Sequence, residues 1–210
     1  WGAVAGGEGQ VVWAPAAGAA GMEVYGWKKV AGLTDDENFM DLCSLVARNS
    51  RCNGGHMGCV IARDGEVLAI AINSPLFEPF SSDVHAEVNA IGRCARVGIK
   101  TAGAVAYITM PPCRNCYTVL QAAGIARIVT RHENKVHRMA EASDALGIKQ
   151  EVVSDTPEAG ARRMAAVEAV ENTAEAKDAI HAAREARKAA RKDWKEAKRT
   201  RHLTPSEDPV

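Results

Sequence analysis

The chain has 210 residues, enough for one globular domain with extensions at its ends. Lysine plus arginine equals aspartate plus glutamate at 26 each, so the overall charge favours no particular class of partner. No run of about 18 apolar residues occurs, so no membrane-spanning helix is predicted. Six cysteines without a secretory leader indicate a reducing, intracellular compartment, cytoplasmic or organellar. Because the chain starts at Trp1 and not at methionine, we expect a processed or truncated product.

The first 33 residues are rich in glycine and alanine and show no sustained hydrophobic period. Such a segment lacks the side-chain bulk to build a core. We therefore predict an N-terminal arm. Its few aromatic side chains either anchor it on a partner or on the domain itself, or are scattered hydrophobic residues of a disordered tail.

From residue 34 to about 153, helical and strand patterns alternate. Thr34 and Glu37 form a capping box at the start of the first helix, and Asp64-Gly65 is typical of a hairpin turn. Strands alternating with helices after an opening hairpin predict a mixed sheet between helices. The predicted elements are a helix over 35–49, strands over 57–62 and 67–72, a helix over 85–97, a strand over 104–109, a helix from Cys113 to Gly124, a strand over 126–130, a helix over 133–146 and a strand over 149–153.

The segment from Glu158 to His202 has a different composition. It contains no internal proline and is dominated by alanine and charged residues, which are strong helix formers. A continuous helix of this length would reach roughly 65 Å. Between Arg184 and Arg201, nine basic residues stand against three acidic ones, a net charge of +6. The helix is either a solvated, charge-laced extension or a docking arm for an acidic surface such as RNA or a large assembly.

The residues able to do chemistry lie in two short motifs, His85-Ala86-Glu87 and Pro112-Cys113-Arg114-Asn115-Cys116. One imidazole and two thiolates form a competent zinc set that leaves a fourth position open. Zinc bound there would make hydroxide available from water near neutral pH. If His85 and Glu87 share the first turn of a helix, the Glu87 carboxylate points into the same cavity and can carry a proton from water to a leaving amine.

Each motif alone is a weak signal, because Cys-x-x-Cys also occurs in redox sites and structural zinc sites. His-x-Glu followed by Pro-Cys-x-x-Cys is the signature of the zinc nucleobase deaminases. A structural zinc site requires four protein ligands, and no fourth is evident near these three. The favoured interpretation is a catalytic zinc, and the alternatives are a structural zinc site or an inactive relic.

The core from Phe39 to Val153 resembles the deoxycytidylate (dCMP) deaminase family, within the cytidine deaminase-like superfamily. The resemblance covers about 115 of the 210 residues and includes neither terminal extension. The segments that carry it are Phe39–Leu42 with Ala47–Cys52, Gly58–Ile61 with Asp64-Gly65, His85–Ile91, and Tyr107–Cys116 with Ala122–Ile125.

The resemblance implies a three-layer α/β/α sandwich around a five-stranded mixed sheet. It also implies hydrolytic removal of the amine from a cytosine ring, with zinc on His85, Cys113 and Cys116 and with Glu87 as proton shuttle. Asn73 stands at the strand end where the family places a sugar contact. Further candidate substrate contacts are Ala86 and, for a phosphate, Arg51 and Arg114.

The chain departs from the family at two places. The usual Gly-Tyr-Asn-Gly reads Ala71-Ile72-Asn73-Ser74, and the loop between Pro75 and His85 is short and lacks the extra cysteine and histidine residues of many members. These departures weaken the expectation of regulation by nucleoside triphosphates and of a preference for a 5′-monophosphate.

The sequence thus predicts a zinc-dependent hydrolase that converts a cytosine nucleotide, most directly dCMP to dUMP. Alternatives are a tRNA-editing type of polynucleotide deaminase, the deaminase step of riboflavin synthesis, whose second cysteine normally lies further from the first, and a structural subunit recruited into a large assembly. We expect a homo-oligomer or a member of a larger complex. The predicted parts are an arm (1–33), a deaminase domain (34–156), a charged helical extension (157–202) and a tail (203–210).

Overall fold

The computed structural model describes residues 4–5, 11–12, 22–133, 143 and 145–201. The predicted tail over 203–210 and most of the predicted helix over 133–146 lie outside these residues. The helices are α1 (Asp35–Ala47), α2 (Ala86–Arg96), α3 (Arg114–Ala122), α4 (Pro157–Glu171) and α5 (Ala174–Arg201). The strands are β1 (Val4–Ala5), β2 (Val11–Val12), β3 (Gly58–Arg63), β4 (Glu66–Ile72), β5 (Val105–Ile108), β6 (Arg127–Thr130) and β7 (Lys149–Val152).

Five strands form the central sheet in the order β4-β3-β5-β6-β7, while β1 and β2 pair separately. Strand β3 is antiparallel to both β4 and β5, whereas β5, β6 and β7 run parallel. Each helix and strand predicted between residues 35 and 130, and the strand over 149–153, occurs within two residues of its predicted bounds. The predicted mixed five-stranded sheet is confirmed.

The two faces of the sheet bury different helices. Alternate side chains of β3 show this, because Cys59 and Ile61 pack in the cluster with α2 and α3, whereas Val60 and Ala62 pack in the cluster with α1. Period-2 alternation along a strand directs successive side chains to opposite faces. The result is the predicted three-layer α/β/α sandwich.

Helix α1 is fixed at its start and along its length. Thr34 accepts the backbone N–H of Glu37, and the Glu37 carboxylate accepts the N–H of Thr34, which is the predicted capping box. Gly58 permits close packing against β3, because a Cβ there would stand 2.5 Å from the Cys43 carbonyl oxygen. Two aromatic residues of the predicted arm, Tyr25 and Trp27, pack on this helix and so anchor their segment on the domain itself.

The predicted C-terminal helical extension is confirmed, and it consists of two helices separated at Asn172 and Thr173. Asn172 caps α4, and the Thr173 hydroxyl accepts the backbone N–H of Ala176 at the start of α5. Helix α4 does not project from the domain but packs on α1 through the buried side chain of Val167. The Thr173 side chain caps the start of α5, and this cap favours a new helix over continuation of α4.

A buried ion cluster also joins α4 to the domain. Asp41 of α1 accepts hydrogen bonds from Arg131 at 2.8 Å, from Arg162 at 2.9 Å and from Arg163 at 2.8 Å. The side chains of Asp41 and Arg131 are only 8% and 5% exposed, so this carboxylate is the main counter-charge for a buried guanidinium. Asp155 adds a second, half-exposed acceptor for Arg163.

None of the described helices combines the length and the apolar character that a membrane crossing needs.

Candidate active site

The two sequence motifs meet where α2 and α3 begin. His85 is the N-cap residue of α2 and Cys113 is the N-cap residue of α3, with Cys116 in the first turn of α3. Both helices follow strands of the central sheet, so the sheet brings their N-termini together. Backbone N–H groups in the first turn of a helix are free of partners inside the helix and favour negative charge nearby.

The ligand atoms of His85, Cys113 and Cys116 all lie within 4.8 Å of one another. The His85 Nδ1 atom is 3.7 Å from the Cys113 Sγ and 3.3 Å from the Cys116 Sγ. Tetrahedral zinc with ordinary Zn–S and Zn–N bond lengths holds its sulfur and nitrogen ligands about 3.6 Å apart. The three side chains therefore fit zinc, and theirs is the only such cluster among the described residues.

Glu87 lies in the first turn of α2 and is only 5% exposed. Burial raises the pKa of Glu87 above its usual value, while its own backbone N–H, the charge of His85 and a hydrogen bond with Cys116 oppose that rise. Burial also raises the pKa of Cys116, and the Glu87 charge adds to the effect. A divalent metal ion bound to the thiolates would lower the pKa of both Glu87 and Cys116. The Glu87 carboxyl and the metal ligands are therefore electrostatically coupled.

A cavity of about 220 Å³ opens beside these residues. Both His85 and Glu87 line it, as expected if they share one helical turn. Its other walls come from the loop after α1, the end of β4, the loop before α2 and the end of β5. These residues are Gly54, Met57, Asn73, Ser82, Ile108, Met110 and Pro111.

Asn73 is a hub for the loops around the cavity. Its Oδ1 accepts the Ser50 hydroxyl at 2.6 Å and the Met57 N–H at 3.0 Å. Its Nδ2 donates to the Gly55 carbonyl and to the Ser82 hydroxyl, both at 2.9 Å. The side-chain amide thus makes four hydrogen bonds while lining the cavity, and a sugar contact stays a prediction for this residue.

The remaining predicted contacts differ in position. Ala86 is fully buried and packs in the core between the sheet and α2. The Arg51 and Arg114 side chains are exposed, and neither belongs to the described set of residues that lines the cavity. Arg114 follows Cys113 directly at the start of α3, and the Arg51 carbonyl accepts a hydrogen bond from Arg187. Their roles toward a substrate stay predictions.

Sequence reasoning missed the residues that hold the cavity loops in place. Ser50 and Ser82 bond to Asn73, and Asp83 fixes the loop from residue 75 to 83 by accepting the backbone N–H groups of Leu76 and Phe77. A weak signal was present, since a serine or an aspartate in a short loop commonly bonds to nearby backbone.

Comparison with known proteins agrees with this geometry. Residues 33–132 match the family model described as the cytidine and deoxycytidylate deaminase zinc-binding region. ComE operon protein 2 of Bacillus subtilis is 29% identical over 120 residues, 50% of this chain and 64% of that protein. Riboflavin biosynthesis protein RibD of Escherichia coli is 35% identical over 103 residues, 45% of this chain and 26% of that protein. The chain thus spans less than two thirds of the length of both.

A third relative is matched over nearly its whole length. The deoxycytidylate deaminase of Mycobacterium phage D29 is 28% identical over 124 residues, 47% of this chain and 95% of that protein. The crystal structure of the dCMP deaminase from cyanophage S-TIM5 superposes with a TM-score of 0.50 at 23% identity and covers 56% of this chain and 96% of that one. This likeness shows that the two chains share a fold.

Proposed function

We propose that this chain, whose residues 33–132 match the model of the cytidine and deoxycytidylate deaminase zinc-binding region, is a zinc-dependent hydrolase that deaminates a cytosine nucleotide, most directly dCMP to dUMP. In this proposal His85, Cys113 and Cys116 hold the zinc and Glu87 moves the proton. One observation carries it: three zinc-compatible ligand atoms converge within 4.8 Å beside a cavity that the buried Glu87 also lines.

The reaction adds water to C4 of the ring and expels ammonia. Zinc would act as a Lewis acid and make hydroxide available from water near neutral pH. The water oxygen becomes the new carbonyl oxygen, one hydrogen goes to the ring nitrogen N3, and the other goes to the departing amine. Glu87 suits the transfer of both protons, because it is buried and lines the cavity beside the proposed zinc ligands.

The size of the cavity supports a small cyclic substrate. Sites for drug-sized ligands usually enclose about 300–1,000 Å³, so a cavity of about 220 Å³ suits one pyrimidine ring with the sugar and phosphate at its rim. The name of the phage D29 relative, which this chain covers almost completely, favours dCMP. In this pose Ala86 offers backbone at the helix start, Asn73 lies beside the sugar, and Arg51 and Arg114 are candidates for the phosphate.

The test is ammonia release from dCMP, CMP, cytidine and deoxycytidine, measured together with the zinc content. We expect one zinc per chain and turnover of at least one of these compounds. Glu87→Gln should retain zinc and lose roughly 10²- to 10⁴-fold in turnover, the usual contribution of a positioned acid–base group. Glu66→Gln, which changes an exposed glutamate on β4, is the matched control and should leave turnover unchanged. Zinc-loaded wild-type protein that releases no ammonia from any of the four compounds would refute the proposal.

A second candidate is the deaminase step of riboflavin synthesis. The match to the Escherichia coli riboflavin biosynthesis protein, at 35% identity, favours it. Adding the aminopyrimidine nucleotide of that pathway to the same panel separates the two, because the preferred compound is the one with the higher kcat/KM.

A further inference from the structure

Helix α5 has a strongly basic side. At about 100° per residue, its lysines and arginines from 184 to 199 fall within roughly 140° of the helix circumference. The three acidic residues of that stretch, Glu185, Asp193 and Glu196, lie outside the arc. The basic residues are Arg184, Arg187, Lys188, Arg191, Lys192, Lys195, Lys198 and Arg199. The positive charge is therefore concentrated on one face and not spread around the helix.

Five of these residues follow one another at spacings of three or four, which places them in a single row along the helix. We call this row the basic ridge, and it consists of Arg184, Lys188, Arg191, Lys195 and Arg199. The row is exposed and extends over about 22 Å at 1.5 Å per residue. Lys188 pairs with Glu185 at 2.6 Å. Within the described part of the chain, the other four side chains make no ion pair.

Contacts hold α5 beside the candidate active site. Arg187 donates to the Arg51 carbonyl at 2.7 Å and stacks 5.7 Å above the Phe80 ring. Lys198 pairs with Glu78 at 3.2 Å. Glu78 and Phe80 belong to the loop from residue 75 to 83, whose Ser82 lines the cavity. Helix α5 therefore packs against the loop that supplies Ser82 to the cavity wall, and the basic ridge lies on the same helix.

The same loop presents an aromatic ring to solvent. Phe77 is 84% exposed, and the neighbouring Leu76 is 65% exposed. The loop is not loose, because the Asp83 carboxylate accepts the N–H groups of Leu76, Phe77 and Glu78 and the Ser81 hydroxyl. These hydrogen bonds, the Ser81 bond foremost, hold the pKa of Asp83 below its usual value, so it remains an acceptor across the physiological range. Phe77 is thus an exposed ring on a fixed backbone.

We propose that the basic ridge and Phe77 form a docking surface for a single-stranded polynucleotide. Its phosphates would lie along the ridge, and one unpaired base would stack on Phe77. Proteins that bind single strands combine a row of positive charge with aromatic rings, because every base has a face that can stack. An acidic protein surface would also satisfy the ridge, but its carboxylates do not stack on the ring. The surface includes neither the metal ligands nor Glu87, so polynucleotide binding can be tested independently of the proposed deamination.

The test measures binding of the full chain to a fluorescent 20-nucleotide oligouridylate by anisotropy at several salt concentrations. Uridylate has no amine to release, so binding is observed without turnover. A variant with glutamine at positions 184, 191, 195 and 199 should bind at least tenfold more weakly, and its slope of log affinity against log salt should fall by about 0.7 for each phosphate that the ridge no longer neutralises. The matched control places glutamine at the exposed cations Lys28, Arg96, Lys100 and Lys149 and should change affinity less than twofold. Glutamine is a good helix former, so circular dichroism should show α5 intact.

The aromatic part of the surface has its own readout. Phe77→Ala should weaken binding about fivefold or more, and Phe77→Trp should restore it, because stacking of a base on an aromatic ring is lost in one variant and kept in the other. Equal weakening by the two four-glutamine variants, or no effect of Phe77→Ala, would overturn the proposal. So would polyglutamate that displaces the oligonucleotide as well as unlabelled oligouridylate does, since that result indicates an acidic protein as the partner.

Discussion

The candidate metal site and helix α5 are held in place in opposite ways. His85, Cys113 and Cys116 stand at the starts of two helices whose inner faces are buried against the sheet. Helix α5 is mostly exposed and meets the loops at the cavity rim through polar contacts such as the Lys198–Glu78 pair. Rigid packing suits the metal site, because the ligand atoms must keep their mutual positions. A weakly attached, exposed helix suits a surface that releases water when it binds a partner.

The largest effect should follow from removing one sulfur. Cys116→Ala leaves two of three ligands, and we expect zinc affinity to fall by more than about 100-fold, since even changes to partners of metal ligands cost up to that much. Metal analysis after dialysis against a chelator measures it. Cys94→Ala, at a buried cysteine of α2 away from the ligands, should keep its zinc. Equal zinc loss in both variants would mean that the site has no special dependence on Cys116.

Helix α4 is attached less extensively than the metal site and more extensively than helix α5. A substitution at Asp41 tests which of the two it resembles. Asp41→Asn keeps the side-chain size but removes the carboxylate that faces three guanidinium groups. Because Arg131 is buried, we expect a loss of about 3 kcal/mol in the free energy of unfolding, measured with urea. Asp155→Asn changes a half-exposed acceptor of the same cluster and should cost less than about 1 kcal/mol. Similar small losses would show that α4 is attached as loosely as α5.

A smaller loss is expected at the hub of the cavity loops. Asn73→Ala removes four hydrogen bonds and should lower the free energy of unfolding by about 2 kcal/mol. KM should rise as well, because the loops at the cavity lose their common anchor. Asn49→Ala, which removes the hydrogen bonds of a partly exposed amide to Glu23 and Val46, is the control and should cost less than Asn73→Ala. A neutral Asn73→Ala variant would show that the loops keep their shape without the hub.

The smallest effect on stability should come from the exposed contact between helix α5 and the loop at the rim of the cavity. Lys198→Gln breaks an exposed ion pair with Glu78, and such pairs contribute less than about 1 kcal/mol. Thermal unfolding should therefore show a midpoint close to that of the unmodified chain. A marked drop would mean that α5 is an integral part of the packed domain and would remove the contrast with the metal site.

Local sequence predicted much of this molecule. The helix start at Thr34 follows from a capping pattern, and the strands follow from short apolar runs, because these signals act over a few residues. The metal set was predictable for the same reason, since each motif is contiguous. The features that the sequence did not predict depend on competition between local signals or on contacts between residues far apart in the chain. Nothing in the residues around Asp41 indicates that arginines 90, 121 and 122 positions away converge on it. The interruption after Asn172 depends on competition between the Thr173 cap and the good helix formers on either side.

The junction between α4 and α5 also determines how the chain can be divided. Asn172 and Thr173 are exposed and lie outside both helices, which is the kind of peptide that a protease cuts without unfolding its flanks. Cleavage there would release α5 as a cationic peptide, while α4 stays tied to Asp41. Limited digestion is therefore a route to a compact fragment, suited to crystallisation, that retains the candidate metal ligands and lacks the basic ridge.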